Sequence, residues 1–457
     1  MTARRQPSRG DAVLDATAPA HRERRAADDP VRAVSAPRTD GRGRHVLTAG
    51  LLSVSVLSFA ANAVFSRLLG RSTYGAVGSV LALATLLAVP LSAVQAAVTR
   101  QVAVAPAGAL RLGRPILLTV GAAAALVGTA LVFVPVLDPL LHLSGDWAVA
   151  LCGAYLGAIL LEGVPRGALV GERRYAWVGL AAAGGAALRL AVGWAWVALR
   201  PGVVGPLAGA ALGEIATALV LLVLVLVSGR PGARSMPLRV REVGLSVVGF
   251  TGLLSLMSID TVAARHWLSP QASGYYAAAS AGGSIAYFVS AAAATSIFPD
   301  VARGASSRDD RAFRVGLAEV AALALGTAGV LCAAAPLVVL VVFGHRYAGA
   351  TVALRILAVS YALLGVSAYL VSHHLAHRST AVVLPWGGAG GLVVAVVAAH
   401  GSTTSVALDA LVTSGALVLA LAVASFWLER DPAPPGPLRG CRRIGGAAIS
   451  SGGERSP

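Results

Sequence analysis

An all-α integral membrane protein of about twelve transmembrane helices in two six-helix lobes follows from three observations on this 457-residue chain. Hydrophobic residues make up 56% of it and charged residues 13%, with a mean hydropathy of +0.74, far from the balance of a soluble domain. Apolar windows long enough to span ~30 Å of hydrocarbon recur along nearly the whole chain. The basic residues, all of them arginine, fall in alternate connections between those windows.

Residues 1–45 carry ten arginines among Ala, Pro, Asp and Gly with no apolar periodicity. Such a composition cannot bury enough surface to fold alone, and it predicts a disordered cytoplasmic arm. Ser58-Phe59-Ala60 resembles a signal-peptide cleavage site. The basic region before it would be unusually long and the apolar run continues past it, which argues against cleavage.

The first lobe, residues 46–228, is predicted to hold spans at Val46–Phe65, Ala76–Val98, Pro115–Val136, Trp147–Val164, Ala176–Leu199 and Val203–Val227. Pro90 sits inside the second and is a candidate kink. Gly205, Gly209 and Gly213 in the sixth form the G-x-x-x-G-x-x-x-G spacing that suits close helix packing. An Arg/Pro/Gly-rich cytoplasmic linker, residues 229–244, separates the lobes. The second lobe, residues 245–428, is predicted to hold Leu245–Ala264, Tyr276–Phe298, Gly316–Phe343, Thr351–Ser372, Ala381–Ala399 and Thr404–Trp427, with Pro336 inside the ninth span. Residues 429–457 form a second disordered cytoplasmic tail.

With both termini in the cytoplasm, thirty of the 37 arginines lie on the inner side and five on the outer side, while Arg189 and Arg355 lie within helices. A bias of about six to one is what the positive-inside rule expects of an inner-membrane protein with an even number of spans. Topology therefore accounts for the net charge of +16, and no aromatic-interleaved basic motif points to nucleic acid. Every predicted outer loop is short, which leaves no room for the acidic or histidine-bearing loop of an extracellular glycan-building enzyme. Cys152, Cys332 and Cys441 show neither disulfide framework nor metal spacing, and no cofactor is expected.

Asp260 lies near the end of some fifteen apolar or small residues, about 7 Å outward from the centre of the seventh span at 1.5 Å per residue. A carboxylate there costs roughly 2.5–3.5 kcal/mol on insertion scales. An internal repeat places it. Asn62-Ala-Val-Phe-Ser-Arg67 in the first helix matches Asp260-Thr-Val-Ala-Ala-Arg265 in the seventh, a shared [ND]-x-V-x-x-R, followed by Gly75 eight residues after Arg67 and Gly274 nine after Arg265. Six helices per copy make the repeat parallel, about an axis along the membrane normal.

Four segments, FSRLLGRSTYGAVG, RGALVGERRYAWVGL, IDTVAARHWLSPQASGYYAAAS and FGHRYAGATVALRILAVS, carry a family resemblance. The chain resembles oligosaccharide-lipid flippases of the bacterial polysaccharide transporter family, relatives of the multidrug and toxin extrusion transporters and of the lipid II flippase. The resemblance implies two lobes around a central cavity, alternating access, a polyprenyl-diphosphate-linked oligosaccharide as cargo for surface polysaccharide biosynthesis, and polysaccharide assembly enzymes as partners beside the membrane lipids.

The polar residues sort against that expectation. A diphosphate suits arginine forks, so Arg67 and Arg265 are symmetric candidates for substrate binding, the alternative being that they snorkel to the outer headgroups. Asn62 occupies the position equivalent to Asp260 and joins the substrate-binding set. Arg355, about one turn inside the tenth helix, contacts substrate or pairs with Asp260 or Asp409. Asp260 is the candidate coupling site for a proton or sodium ion, or else a fixed partner of an arginine. Glu162 and Arg166, four residues apart, form a structural ion pair. Arg189 and Glu214 fall at one depth near the midplane of antiparallel neighbours, so an ion pair is expected, with a cavity-facing Arg189 as the alternative. Glu319 and Asp409 reach the interface near helix ends. His373, His374 and His377 lack a third ligand nearby and are expected at a solvated helix end. The rivals to a flippase are a drug or toxin antiporter of the same architecture, and a membrane glycosyltransferase or ligase.

Overall fold

The computed structural model describes residues 41–104, 110–143, 147–228, 234–235, 244–307, 310–377, 379–399 and 401–430. The expectations for the N-terminal arm before residue 41, most of the linker and the tail beyond residue 430 lie outside these residues.

The first lobe comprises α1 (Gly41–Leu68), α2 (Arg71–Val104), α3 (Gly113–Val132), α4 (Trp147–Gly171), α5 (Tyr175–Leu199) and α6 (Val204–Val227). The second comprises α7 (Gly244–Trp267), α8 (Pro270–Ser307), α9 (Asp310–Val338), α10 (Thr351–Ala376), α11 (Leu384–Ala398) and α12 (Thr403–Arg430). Ten helical stretches among the described residues are long and apolar enough to cross a membrane; α8 and the shorter apolar stretch Leu52–Leu68 of α1 complete twelve. The chain is a multi-pass membrane protein. Its outward surface carries bare Leu117, Val132, Leu199, Val227 and Leu419, as hydrocarbon solvent requires. α1 begins at Gly41, inside the segment expected to be a disordered arm, because a helix nucleated by an apolar stretch propagates at little further cost.

Two spans depart from plain helices. After α3 the chain breaks at Phe133 and resumes as a short helix, Val134–Leu140. α9 carries Pro336 and passes into a π turn, Val339–Phe343, and then Gly344 at φ +91°, a conformation open to glycine. A 3₁₀ turn, His345–Ala350, leads into α10.

The parallel repeat is visible in the packing. α4 packs on α2, α3 and α6, and six helices later α10 packs on α8, α9 and α12. The pairs α1–α5 and α5–α6 reappear as α7–α11 and α11–α12. Two short strands, β1 (Leu110–Arg111) and β2 (Arg234–Ser235), pair in parallel.

The lobes meet mainly where α2 lies against α7 and α8. The two repeat glycines face each other there: a Cβ on Gly274 would stand 2.1 Å from the Arg71 carbonyl oxygen, and one on Gly75 would stand 2.8 Å from the Gly274 nitrogen. One buried apolar cluster runs through this contact, from Phe65, Leu69, Tyr74 and Val77 to Leu253, Tyr276, Phe343 and Leu354.

Candidate functional site between the two lobes

Asp260 is completely buried on α7 (0% exposed). Its Oδ1 accepts the Thr261 N–H at 2.6 Å and lies 3.2 Å from the Thr261 hydroxyl. Its Oδ2 accepts the Tyr276 hydroxyl of α8 at 2.8 Å, with the Tyr361 hydroxyl of α10 at 3.4 Å. Tyr361 also lies 2.7 Å from Ser280 Oγ, which in turn accepts from Thr261. Among the described residues no guanidinium approaches Asp260. Asp409 on α12 is close enough for its charge to act on Tyr276, and its Oδ2 is buried without a hydrogen bond. The residue as a whole is half-buried.

Asn62 repeats this arrangement without the charge. Its Oδ1 accepts the Tyr74 hydroxyl of α2 at 2.9 Å, and its amide donates to Ser58 O at 3.0 Å. In each lobe a tyrosine on the second helix therefore fixes the repeat's Asn or Asp on the first. These tyrosines were missed from sequence. The available signal was that a lone buried carboxylate demands hydroxyl donors, and Tyr276 follows Gly274 in the aligned segment.

The paired arginines of the repeat do something else: each crosses to the opposite lobe. Arg265, 4% exposed, donates Nε to Leu141 O at 2.8 Å, Nη2 to His142 O at 2.8 Å, and Nη1 to Ser72 O at 3.3 Å and to Ser273 Oγ at 3.1 Å. Leu141, His142 and Ser72 belong to the first lobe. Arg67, from the end of α1, donates to the carbonyl of Val341 in the π turn after α9. Arg71 joins them, donating to the Tyr275 hydroxyl and lying 5.2 Å over that ring. Edge-to-face contacts link Tyr74 to Phe343 at 6.3 Å and to Tyr347 at 5.8 Å across the same boundary. At this end of the molecule the lobes are closed against each other.

Further inward the lobes part. A cavity of about 430 Å³ lies between Leu86, Leu87 and Pro90 of α2, Thr251 and Ser255 of α7, and Trp386 of α11. Thr251 Oγ1 is buried there without a partner. None of Asn62, Arg67, Arg265 and Arg355 lines this cavity. Arg67 and Arg265 lie at the end where the lobes have closed. Arg355 is exposed and donates Nε to Cys332 O of α9 at 3.1 Å, so it pairs with neither Asp260 nor Asp409.

The first lobe holds its own charges. Glu162, 4% exposed, accepts Arg166 Nη2 at 2.9 Å, the one ion pair recorded among the described residues that the four expected charges form. Arg189 and Glu214 lie on adjoining faces of α5 and α6 and attract one another, but they form no salt bridge within 4.0 Å. The expected direct pair is thus corrected. The backbones touch at this level, with a Cβ on Gly209 falling 2.4 Å from Arg189 O. At the inner end of α10, His373 and His374 are 5% and 0% exposed, which overturns the expected solvated helix end. The Phe313 ring covers His373 at 4.0 Å, and Leu421 O and Ser425 on α12 hold His374 Nε2 at 3.2 Å. No group of three or more metal-ligating side chains occurs among the described residues.

Solved structures with this arrangement exist. The chain is similar to the inward-facing conformation of a multidrug resistance MATE family transporter of the MOP superfamily, with TM-score 0.67 and 16% identity over 83% of this chain and 96% of that one. It shares the helical two-lobe fold of these structures. The lipid II flippase MurJ in an inward closed conformation aligns with TM-score 0.64 and 12% identity over 83% and 87% of the two chains. An outward-facing conformation of a MATE family transporter aligns with TM-score 0.52 and 18% identity over 84% and 94%. No protein-family model and no curated protein matches the sequence.

Proposed function

We propose that the protein is an inner-membrane flippase that moves a polyprenyl-diphosphate-linked oligosaccharide from the inner to the outer leaflet by alternating access, both termini being cytoplasmic. The observation that carries alternating access is the reciprocal crossing of Arg67 and Arg265, which closes the outer side while a cavity remains between the lobes below. These hydrogen bonds are made only when the lobes meet, so they belong to one end state of a two-state element. Opening would release three outward arginines, Arg67, Arg71 and Arg265, and the diphosphate would meet them as it arrives at the outer leaflet. Asn62 stays beside them on α1. Arg355 serves as a peripheral cationic contact on the same side.

Asp260 is the coupling residue in this reading. A buried carboxylate held only by hydroxyls and one amide has no fixed counter-charge, so a proton or sodium ion supplies it. The cation's occupancy then biases the contacts among α7, α8 and α10, the helices that Asp260, Tyr276 and Tyr361 join. Surface-polysaccharide assembly enzymes would deliver the cargo and consume it.

A second reading, export of a cationic drug or toxin, is favoured by the unpaired carboxylates Asp260 and Asp409 in the second lobe. Reconstitution into vesicles separates the two. Labelled polyprenyl-diphosphate glycan should reach the far leaflet in a protein-dependent way while a cationic dye is not extruded. Dye extrusion without glycolipid movement would replace the flippase reading with the exporter.

A further inference from the structure

We infer that His142 of the first lobe and His266 of the second form a two-histidine site for a zinc-class divalent cation, which bridges the lobes and holds them closed. The rings come together only because the lobes meet. His142 lies in the turn after the short helix Val134–Leu140, His266 in the last turn of α7, and their ring centroids are 5.9 Å apart at an interplanar angle of 31°. Two imidazoles sharing one tetrahedral ion through Zn–N bonds of about 2.0–2.1 Å have ring centres roughly 5–6 Å apart, so the closed lobes already set the spacing of the bridge.

Each ring is prepared in its own way. His266 Nδ1 lies 2.9 Å from Leu140 O. A carbonyl oxygen can only accept, so Nδ1 carries the hydrogen and the ring's lone pair is left on Nε2, where a metal binds. Trp267 packs edge-on against the same ring at 4.7 Å and 86°, which restricts its rotation. His142 is exposed, so its ring turns toward an ion without unpacking anything. Its backbone is the fixed part: it stands at φ +47°, a left-handed conformation uncommon for residues with a Cβ, and its carbonyl accepts Arg265 Nη2 at 2.8 Å. The arginine contact between the lobes and the histidine pair thus share one turn.

The donor chemistry selects the ion. Imidazole nitrogen suits zinc, copper and nickel, whereas magnesium and calcium take oxygen ligands. Among the described residues no third His, Cys, Asp or Glu joins the pair, so water completes the coordination and the ion is an exchangeable regulator. The Arg265 guanidinium nearby repels a second cation, which keeps the affinity moderate. Separation of the lobes would carry His266 away from His142. Metal held by both rings therefore belongs to the closed arrangement alone, and by linkage it raises the population of that arrangement. The inference uses the closed contact only and does not depend on which cargo is moved.

Zinc chloride is the probe and magnesium chloride the control, added to purified full-length protein without a histidine tag in lipid nanodiscs. Calorimetric titration should show zinc binding that weakens at least about tenfold in H142A and again in H266A, each variant keeping a metal-free thermal transition near that of the parent. Backbone hydrogen exchange supplies a readout at positions that touch no metal. The amides of Tyr74 in α2 and Tyr347 after α9, whose rings meet across the closed boundary, should exchange at least about tenfold more slowly with zinc. Magnesium should give no such protection, and neither should zinc in H142A or H266A. An absence of zinc binding, or binding that survives the loss of either histidine, overturns the site. Binding that needs both histidines but leaves exchange at Tyr74 and Tyr347 unchanged overturns the claim that the ion holds the lobes closed.

Discussion

Asp260 and Asn62 are the same position of the repeat, each held by a tyrosine hydroxyl from the following helix at 2.8 and 2.9 Å. The first lobe thus demonstrates that an amide satisfies the tyrosine as well as a carboxylate does. D260N should accordingly fold and bind cargo as the parent does, yet lose the response of transport to an imposed proton or sodium gradient. An unchanged gradient response in vesicles removes Asp260 from the coupling role. Arg265 is the sharper case, because its removal leaves the carbonyls of Leu141 and His142 unbonded on the far side of the interface. Hydrogen bonds from a charged donor contribute about 1.5–3 kcal/mol each, so R265A should shift the resting population toward the outward-open state by at least about tenfold. A cysteine at position 72, in a protein with Cys152, Cys332 and Cys441 replaced, should then react faster with an impermeant maleimide added outside. Equal labelling with and without Arg265 would show that the residue does not latch the lobes.

At the scale of elements, the α5–α6 crossing fixes where the charges of the first lobe stand. A methyl group on Gly213 would lie 2.6 Å from Gly185 O and 2.8 Å from Arg189 Cβ, contacts that no rotamer change relieves because backbone is on both sides. G213A should lower stability by about 1–3 kcal/mol, read as an earlier thermal transition in detergent. G184A is the control, since a methyl there meets nothing within 4 Å and Ala is the better helix former by about 1 kcal/mol. It should leave the transition unchanged or raise it. A matching loss in both variants would mean the crossing is not close-packed.

For the whole molecule, the contact between α2 and α8 marks the closed outer side. A Cβ on Gly78 would stand 2.8 Å from the Ala277 Cβ, within a small adjustment of disulfide distance. G78C with A277C should cross-link under mild oxidation and arrest transport, with recovery on reduction. A cross-linked protein that still transports would mean that the lobes need not separate here. The same closed side explains why the arginines expected at a central substrate cavity are instead occupied with carbonyl oxygens.

By itself, the sequence determined the solvent, the number of the spans, and the equivalence of Asn62 with Asp260 and of Arg67 with Arg265. Each of these is summed or compared along the chain: hydropathy over a window, arginines over a loop, residues over a repeat. The i, i+4 pair Glu162–Arg166 was legible for the same reason, since a helix brings those two together whatever surrounds it. Only the tertiary structure decided which hydroxyls hold Asp260, that Arg67 and Arg265 cross between lobes, that Phe313 and α12 cover His373 and His374, and that Arg189 and Glu214 share a level without meeting. Those facts depend on how each helix is rotated about its axis and on which neighbour, often more than a hundred residues away, it faces. Packing of backbone against backbone sets that rotation, as at Gly209 and Gly274, and a charge at a known depth acquires its partner only once the rotation is set.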